Sequence, residues 1–327
     1  MPQQKAEQFT PAPFQSPWWA VHSHIHTIVP SLLYNPQKPT YKRIEINTPD
    51  GDFLEIDLSI ADSTKAVVAL FHGLEGSSDR HYVNSVMSAL YSSGFSSAAL
   101  NFRGCGNKLN RNRRFYHSGA TDDYNTLIRW LLSTYPDKNI YAVGYSLGAN
   151  ALVKFLKEKR ESTQILRAVA VSPPYDLRRG SLRLHQGFNR LYEQSFLKTL
   201  VEKLEKKRQQ YPDLPTFTGD SIYEFDDQVT APLHGFNNAD DYYRKCSSKK
   251  FYKEVQCPLL IIHSKDDPLC PLEYAPTKDL NDNPYIQTIF TKSGGHVGFI
   301  SSPHGWLNRT IVQWFEHDDS AVSASSP

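Results

Sequence analysis

Ser146 sits in the stretch VGYSLGAN (143–150), with Gly144 and Gly148 two residues to either side. A serine hydroxyl attacks a carbonyl carbon only when a base takes its proton. A Gly-x-Ser-x-Gly run between a strand and a helix forms a turn so sharp that the serine oxygen stands clear of the backbone. The strand NIYAVG precedes this run and the helix ANALVKF follows it. The two glycines let strand and helix approach without Cβ clashes, and the helix N-terminus favours negative charge developing above it.

The base and its carboxylate partner follow from chain order, serine first, acid second, histidine last. Of twelve histidines, His185, His234, His263, His296, His304 and His317 come after Ser146. His296 lies in SGGHVGF, a glycine-rich loop between the last strand and the last helix, and is the candidate base. His304, past Pro303 near a helix start, is its nearest rival. His263 falls inside an apolar strand and reads as a core histidine. The segment IIHSKDDPLCP offers Asp266 and Asp267, and neighbouring loop residues point in different directions, so one of them should reach His296. Asp267, followed by Pro268-Leu269-Cys270-Pro271, fits the usual register of the acid; Asp266 then braces the loop as an Asx turn. The oxyanion of a tetrahedral intermediate needs two amide donors, here Leu147, next to the serine, and Leu74 in HGLEGSS, where Gly73 and Gly76 free the backbone. His72 reads as a residue that holds this loop.

The elements that must position these residues alternate. KRIEINT and FLEIDLS around Pro49-Asp50-Gly51 predict an antiparallel hairpin. AVVALFH, SSAALNF, NIYAVG, LRAVAVS, PLLIIHS and PYIQTIFT read as core strands. VNSVMSALYSSG, TDDYNTLIRWLLSTYP (with Thr121 as N-cap), ANALVKFLKEK and NRTIVQWFE read as helices. The pattern predicts an α/β fold with a mostly parallel, doubly wound sheet. Residues 18–177 and 257–316 form the core in this reading. Residues 178–256 exceed what a plain crossover needs and read as an inserted helical cap. Residues 1–17, proline-rich, read as an extended or flexible arm, and 317–327 as a disordered tail.

The totals narrow the function class. The chain has 327 residues, 36 basic and 34 acidic, for a net charge of +2. That balance gives no footprint for nucleic acid. No apolar run approaches the ~18 residues that span a bilayer, and the N-terminus lacks a signal-peptide pattern. Cys105, Cys246, Cys257 and Cys270 make no Cys-x-x-Cys pair and read as reduced thiols of a cytoplasmic protein. Oligomeric state is open.

GYSLGAN, HGLEGSS, NFRGCG with YHSG and TDD downstream, DDPLCP, GGHVGF and HIHTIVPSL together resemble the α/β-hydrolase superfamily and, over residues 18–316, its YheT-type branch, in order and spacing. The resemblance implies a serine carboxylesterase acting on short- to medium-chain acyl esters without metal or organic cofactor. Thioester or amide hydrolysis, phospholipid deacylation and alcohol acyl transfer use the same machinery, and the pocket decides among them. A non-catalytic binder on this fold would be expected to lack a member of the Ser146, Asp267, His296 set.

Other signals read as structural. His22, His24 and His26 would share one face of a strand, which a metal could use, but no carboxylate or cysteine is near. His117, Asp122 and Asp123 read as capping and loop-bracing groups. In SFLKTLVEKLEKKRQQ the stripe Phe196, Leu197, Leu200, Val201 and Leu204 could meet a lipid surface, but packing on its own domain is the simpler reading. Lys203 to Arg208 reads as a solvated face.

Overall fold

The structure, a computed structural model, describes residues 9–34 and 39–317. Eight strands form one sheet in the order β1-β2-β4-β3-β5-β6-β7-β8: β1 (Lys42–Asn47), β2 (Phe53–Ser59), β3 (Ala66–Phe71), β4 (Ser96–Asn101), β5 (Asn139–Tyr145), β6 (Ile165–Val171), β7 (Leu259–Ser264) and β8 (Ile286–Thr291). β1 and β2 form the antiparallel hairpin, and β2 pairs antiparallel with β4. From β4 to β8 every pairing is parallel, so the carboxyl ends of β3, β5, β6, β7 and β8 share one edge.

Helices cover both faces, which is why β3 to β7 read as continuous apolar runs. On one face α3 (Asp122–Thr134) and α4 (Leu147–Lys159) pack on Val67, Ala69 and Phe71, and α10 (Thr277–Asp282) packs beside β8. On the other, α2 (His81–Ser92) and α11 (Trp306–Glu316) pack on Ala66, Val68 and Leu70. Phe71 stacks on Tyr124 with ring centroids 3.8 Å apart; side chains of this size contribute about 1.5–3 kcal/mol each on full burial.

Between β6 and β7 lie α5 (Leu177–Leu184), α6 (Arg190–Arg208), α7 (Ile222–Phe225), a π-helical turn (Asp226–Thr230), α8 (Ala231–Leu233) and α9 (Ala239–Cys246). The stripe of α6 packs on its own domain: Leu197 and Leu204 are buried with Ile222, Phe225 and Val229. The solvated-face reading fails for two of its lysines. Lys203 pairs with buried Glu75 at 2.7 Å, and Lys207 is buried, donating to the carbonyl oxygens of Asn110 and Asn112. The loops after β3 and β4 stand over this side of the helix, and helical periodicity carries no sign of them.

Three further expectations change. The His22–His26 stretch is not a strand: α1 (Ser23–Leu33) begins there, with His22 as its N-cap, and it runs through Pro30. The His22 and His24 rings stack 5.1 Å apart and His24 bonds Tyr192, whereas buried His26 turns to the carbonyl of Ala20. Thr121 occupies the N-cap position of α3, but its hydroxyl bonds Glu158 rather than a first-turn amide. Residues 9–17 are extended and anchored. The Phe9 amide donates to Gln287, Phe14 packs edge-on to Trp306, and the Trp306 indole donates to the Ala12 carbonyl. Residues 1–8 of the expected arm and 318–327 of the expected tail lie outside the described residues.

Candidate active site

Ser146 occupies the turn from β5 to α4 with φ 52° and ψ −119°, a backbone region that a non-glycine residue holds only when its surroundings impose it. They do: the Ser146 amide donates to the Val171 carbonyl at 2.8 Å, and the flanking glycines admit no side chain. A Cβ on Gly144 would lie 2.7 Å from the Ala149 Cα, and one on Gly148 2.5 Å from the carbonyl oxygens of Phe71 and His72.

Asp267 follows β7. One of its carboxylate oxygens accepts from the amides of Leu269 and Cys270, both at 2.9 Å. The other lies 2.9 Å from His296 Nδ1. His296 Nε2 lies 2.9 Å from Ser146 Oγ. A carboxylate only accepts, so the imidazole proton belongs on Nδ1 and the Nε2 lone pair faces the serine hydroxyl. The Asp267 side chain is fully buried and that of His296 nearly so.

The histidine's loop is held from three sides. Asp266 Oδ1 accepts from the Gly295 amide at 3.0 Å. Thr27 Oγ1 accepts from the His296 amide at 3.0 Å, and His26 Nδ1 from the Ile300 amide at 3.1 Å. At Gly298 a Cβ would lie 1.7 Å from the His26 carbonyl oxygen. The two α1 residues lie far outside any local motif; the only trace of them in the sequence is the stretch HIHTIVPSL. His304 stands elsewhere, against Tyr34. His263 is buried beneath the site, its Nε2 2.7 Å from the Cys270 carbonyl, and burial lowers its pKa.

The loop after β3 comes against the serine: a Cβ on Gly73 would lie 3.2 Å from Ser146 Cβ. Buried His72 braces it, with Nδ1 2.7 Å from the Gly73 carbonyl and Nε2 accepting from the Phe102 amide at 3.1 Å. Burial pushes this imidazole down to about 3, so it stays neutral. Glu75, at φ 50°, ties the loop to Tyr116 Oη at 2.7 Å and to Lys203. Leu74 and Leu147 line a cavity of about 320 Å³ together with Ser146 and His296. Phe196, Leu200 and Phe225 give it apolar walls, and Glu75 and Asp226 are its two carboxyl groups. Asp226 accepts from Tyr243 Oη at 2.7 Å, and burial raises its pKa to about 6. No sequence signal marked it.

Arg103 of NFRGCG and Asp123 of TDD serve the scaffold beside the site. The buried guanidinium binds both oxygens of Asp123 and also reaches Asp50 and Asp52. Asp267, Cys270 and His296 also present ligand atoms within 4.8 Å of one another. Both carboxylate oxygens and both imidazole nitrogens are already engaged there, and burial pushes the thiol up, keeping it protonated.

A strand-turn-helix serine at the carboxyl edge of a parallel sheet, reached by a histidine and an aspartate from later loops, is the arrangement of an α/β hydrolase. The family model described as "alpha/beta hydrolase fold" matches residues 66–303, and the chain belongs to that family. It is 36% identical over 306 residues to "Putative esterase YheT" of Escherichia coli (strain K12), covering 89% of each chain. It is 26% identical over 302 residues to the monoacylglycerol lipase of Saccharomyces cerevisiae, covering 88% of this chain and 66% of that one. Among solved structures, the Pyrococcus furiosus esterase Pf2001 superposes with a TM-score of 0.60 at 19% identity, covering 95% of this chain and 98% of that one; this likeness shows the fold. The protein is a hydrolase of the esterase or lipase type. Among the described residues no helix is long and apolar enough to cross a membrane.

Proposed function

We propose that the protein is a carboxylesterase that cleaves esters of short- to medium-chain acyl groups through an acyl-enzyme on Ser146. The observation that carries this reading is the relay of two 2.9 Å contacts from Asp267 through His296 to Ser146. His296 Nε2 takes the serine proton as Oγ attacks the ester carbonyl. Asp267 fixes the tautomer and stabilises the imidazolium. The amides of Leu74 and Leu147 receive the oxyanion; one such donor contributes roughly 3–4 kcal/mol to the barrier. His296 then protonates the leaving alcohol. Water, activated by the same imidazole, releases the acid.

The segment 178–256 acts as the cap in this reading, since Leu184, Tyr192, Phe196, Leu200, Ile222 and Phe225 from it form one wall of the cavity. About 320 Å³ is at the small end of ligand pockets, which run ~300–1,000 Å³, and supports short to medium chains over long ones. The test is hydrolysis of p-nitrophenyl esters from acetyl to dodecanoyl by wild type and Ser146→Ala. The expected result is an optimum below dodecanoyl and a loss on the order of 10⁴ or more in the variant. Equal rates in the two proteins would overturn the assignment of Ser146.

A further inference from the structure

Large apolar side chains are exposed in two segments that touch. The first is the stretch leading through α1, where Trp18 is 88% exposed, Val21 81% and Leu33 79%. The second runs from α5 into α6, where Phe188 is 50% and Leu191 58% exposed. His24 joins them, its ring 4.4 Å from Phe188 and bonded to Tyr192.

The charge carried by these two segments is mainly basic. Residues 9–34 contain no Asp, Glu, Lys or Arg. Residues 177–200 contain Arg178, Arg179, Arg183, Arg190 and Lys198 against one acid, Glu193, whose side chain is fully buried on His185. Asp240 neutralises Arg178 and Asp220 neutralises Arg190. Among the described residues Arg183 and Lys198 form no ion pair, and Arg179 lies over the Tyr274 ring without an acidic partner.

The same two segments line the catalytic cavity, through Thr27, Ile28 and Ser31 on one side and Leu184, Tyr192 and Ser195 on the other. Ser31 and Ser195 are solvent-exposed, so the cavity opens here. Aromatic and aliphatic side chains ringed by unpaired cations suit the interfacial zone of an anionic lipid layer. There the indole and leucine side chains enter the headgroup region and the cations meet phosphate. We propose that this face docks the protein reversibly on an anionic lipid–water interface, with the cavity mouth toward the lipid. The purpose of docking, delivery of a lipid ester to Ser146, rests on the carboxylesterase reading; the binding itself does not.

The test uses the full chain as Ser146→Ala, so that no turnover alters the membrane. Co-sedimentation is measured with vesicles of phosphatidylcholine alone and with 30% phosphatidylglycerol, at low and high salt. Binding should rise severalfold with phosphatidylglycerol and weaken with salt. Adding Trp18→Ala and Leu191→Ala, neither in the cavity wall, should lower partitioning by tenfold or more. The same pair in the wild-type background should leave hydrolysis of a soluble short ester and thermal unfolding unchanged. Absence of binding to either vesicle at millimolar lipid would overturn the proposal. So would equal binding by the double variant. Analytical ultracentrifugation supplies the remaining outcome: a dimer that the double variant splits would give the face to a second copy of the chain.

Discussion

Asp267→Asn changes one atom and tests the proposed relay at its least visible member. Asp267 Oδ1 is pinned by the amides of Leu269 and Cys270. In the variant the carboxamide must keep its oxygen there, because its NH₂ would otherwise face two donors. That forces the NH₂ toward His296 Nδ1. An imidazole nitrogen facing a donor must accept, so the ring proton moves to Nε2 and confronts Ser146 Oγ with an N–H. The base is then in place and in the wrong tautomer. The expected loss in kcat is about 10⁴, or ~5.5 kcal/mol of barrier, with KM changed less than threefold and the fold intact. The assay is p-nitrophenyl butyrate hydrolysis with unfolding followed in parallel. Asp266→Asn is the comparison. Its oxygen can still accept from the Gly295 amide, so its loss should stay below tenfold. If Asp267→Asn retains more than a tenth of the activity, or if Asp266→Asn is the more damaging change, the orientation argument is refuted.

Arg103→Met should leave Asp52 and Asp123 buried without their cation, lowering stability by about 3–5 kcal/mol and Tm by roughly 4–7 °C. The deficit should shrink near pH 4 as Asp123, whose pKa burial already raises, takes up a proton; differential scanning calorimetry at both pH values checks it. Asp226 has a folded pKa of about 6 against an ordinary 3.8. The folded state thus binds this proton more tightly, and stability falls as pH rises from about 3.8 through 6. Asp226→Asn should accordingly be the more stable protein at pH 8, by at most ~3 kcal/mol, and should lose the advantage below pH 4 in urea titrations. Gly148→Ala places a Cβ against two backbone carbonyls, so it should abolish labelling of Ser146 by a fluorophosphonate even in whatever protein remains soluble.

The sequence carried the sheet because its parallel strands are covered on both faces and each appears as an unbroken apolar run. It brought Ser146, Asp267 and His296 forward because chain order and glycine placement are properties of the chain itself. What it hid depends on partners distant in sequence. Glu55 and Asp57 alternate with apolar residues on β2 as solvent-facing groups would, yet both are buried, with Asp57 paired to Arg43. Lys203 and Lys207 sit in a run of charges, yet Lys203 is mostly covered in its pair with Glu75 and Lys207 is buried. The alternating histidines read as packing and hydrogen-bonding groups, but their pattern carried no sign that they open a helix against the His296 loop. Nothing near Thr27 announces that its hydroxyl will hold an amide 269 positions later.

That last bond bears on how the protein comes to life. In synthesis the clamp residues of α1 precede the serine, and the serine precedes the aspartate and histidine. Contacts of such separation close slowly, since the intervening chain must first be ordered. Helical content should therefore return early in refolding, while the capacity to acylate Ser146 should return last, when the first helix finds the final loop. Turnover in this molecule is a report that α1 and the His296 loop have met.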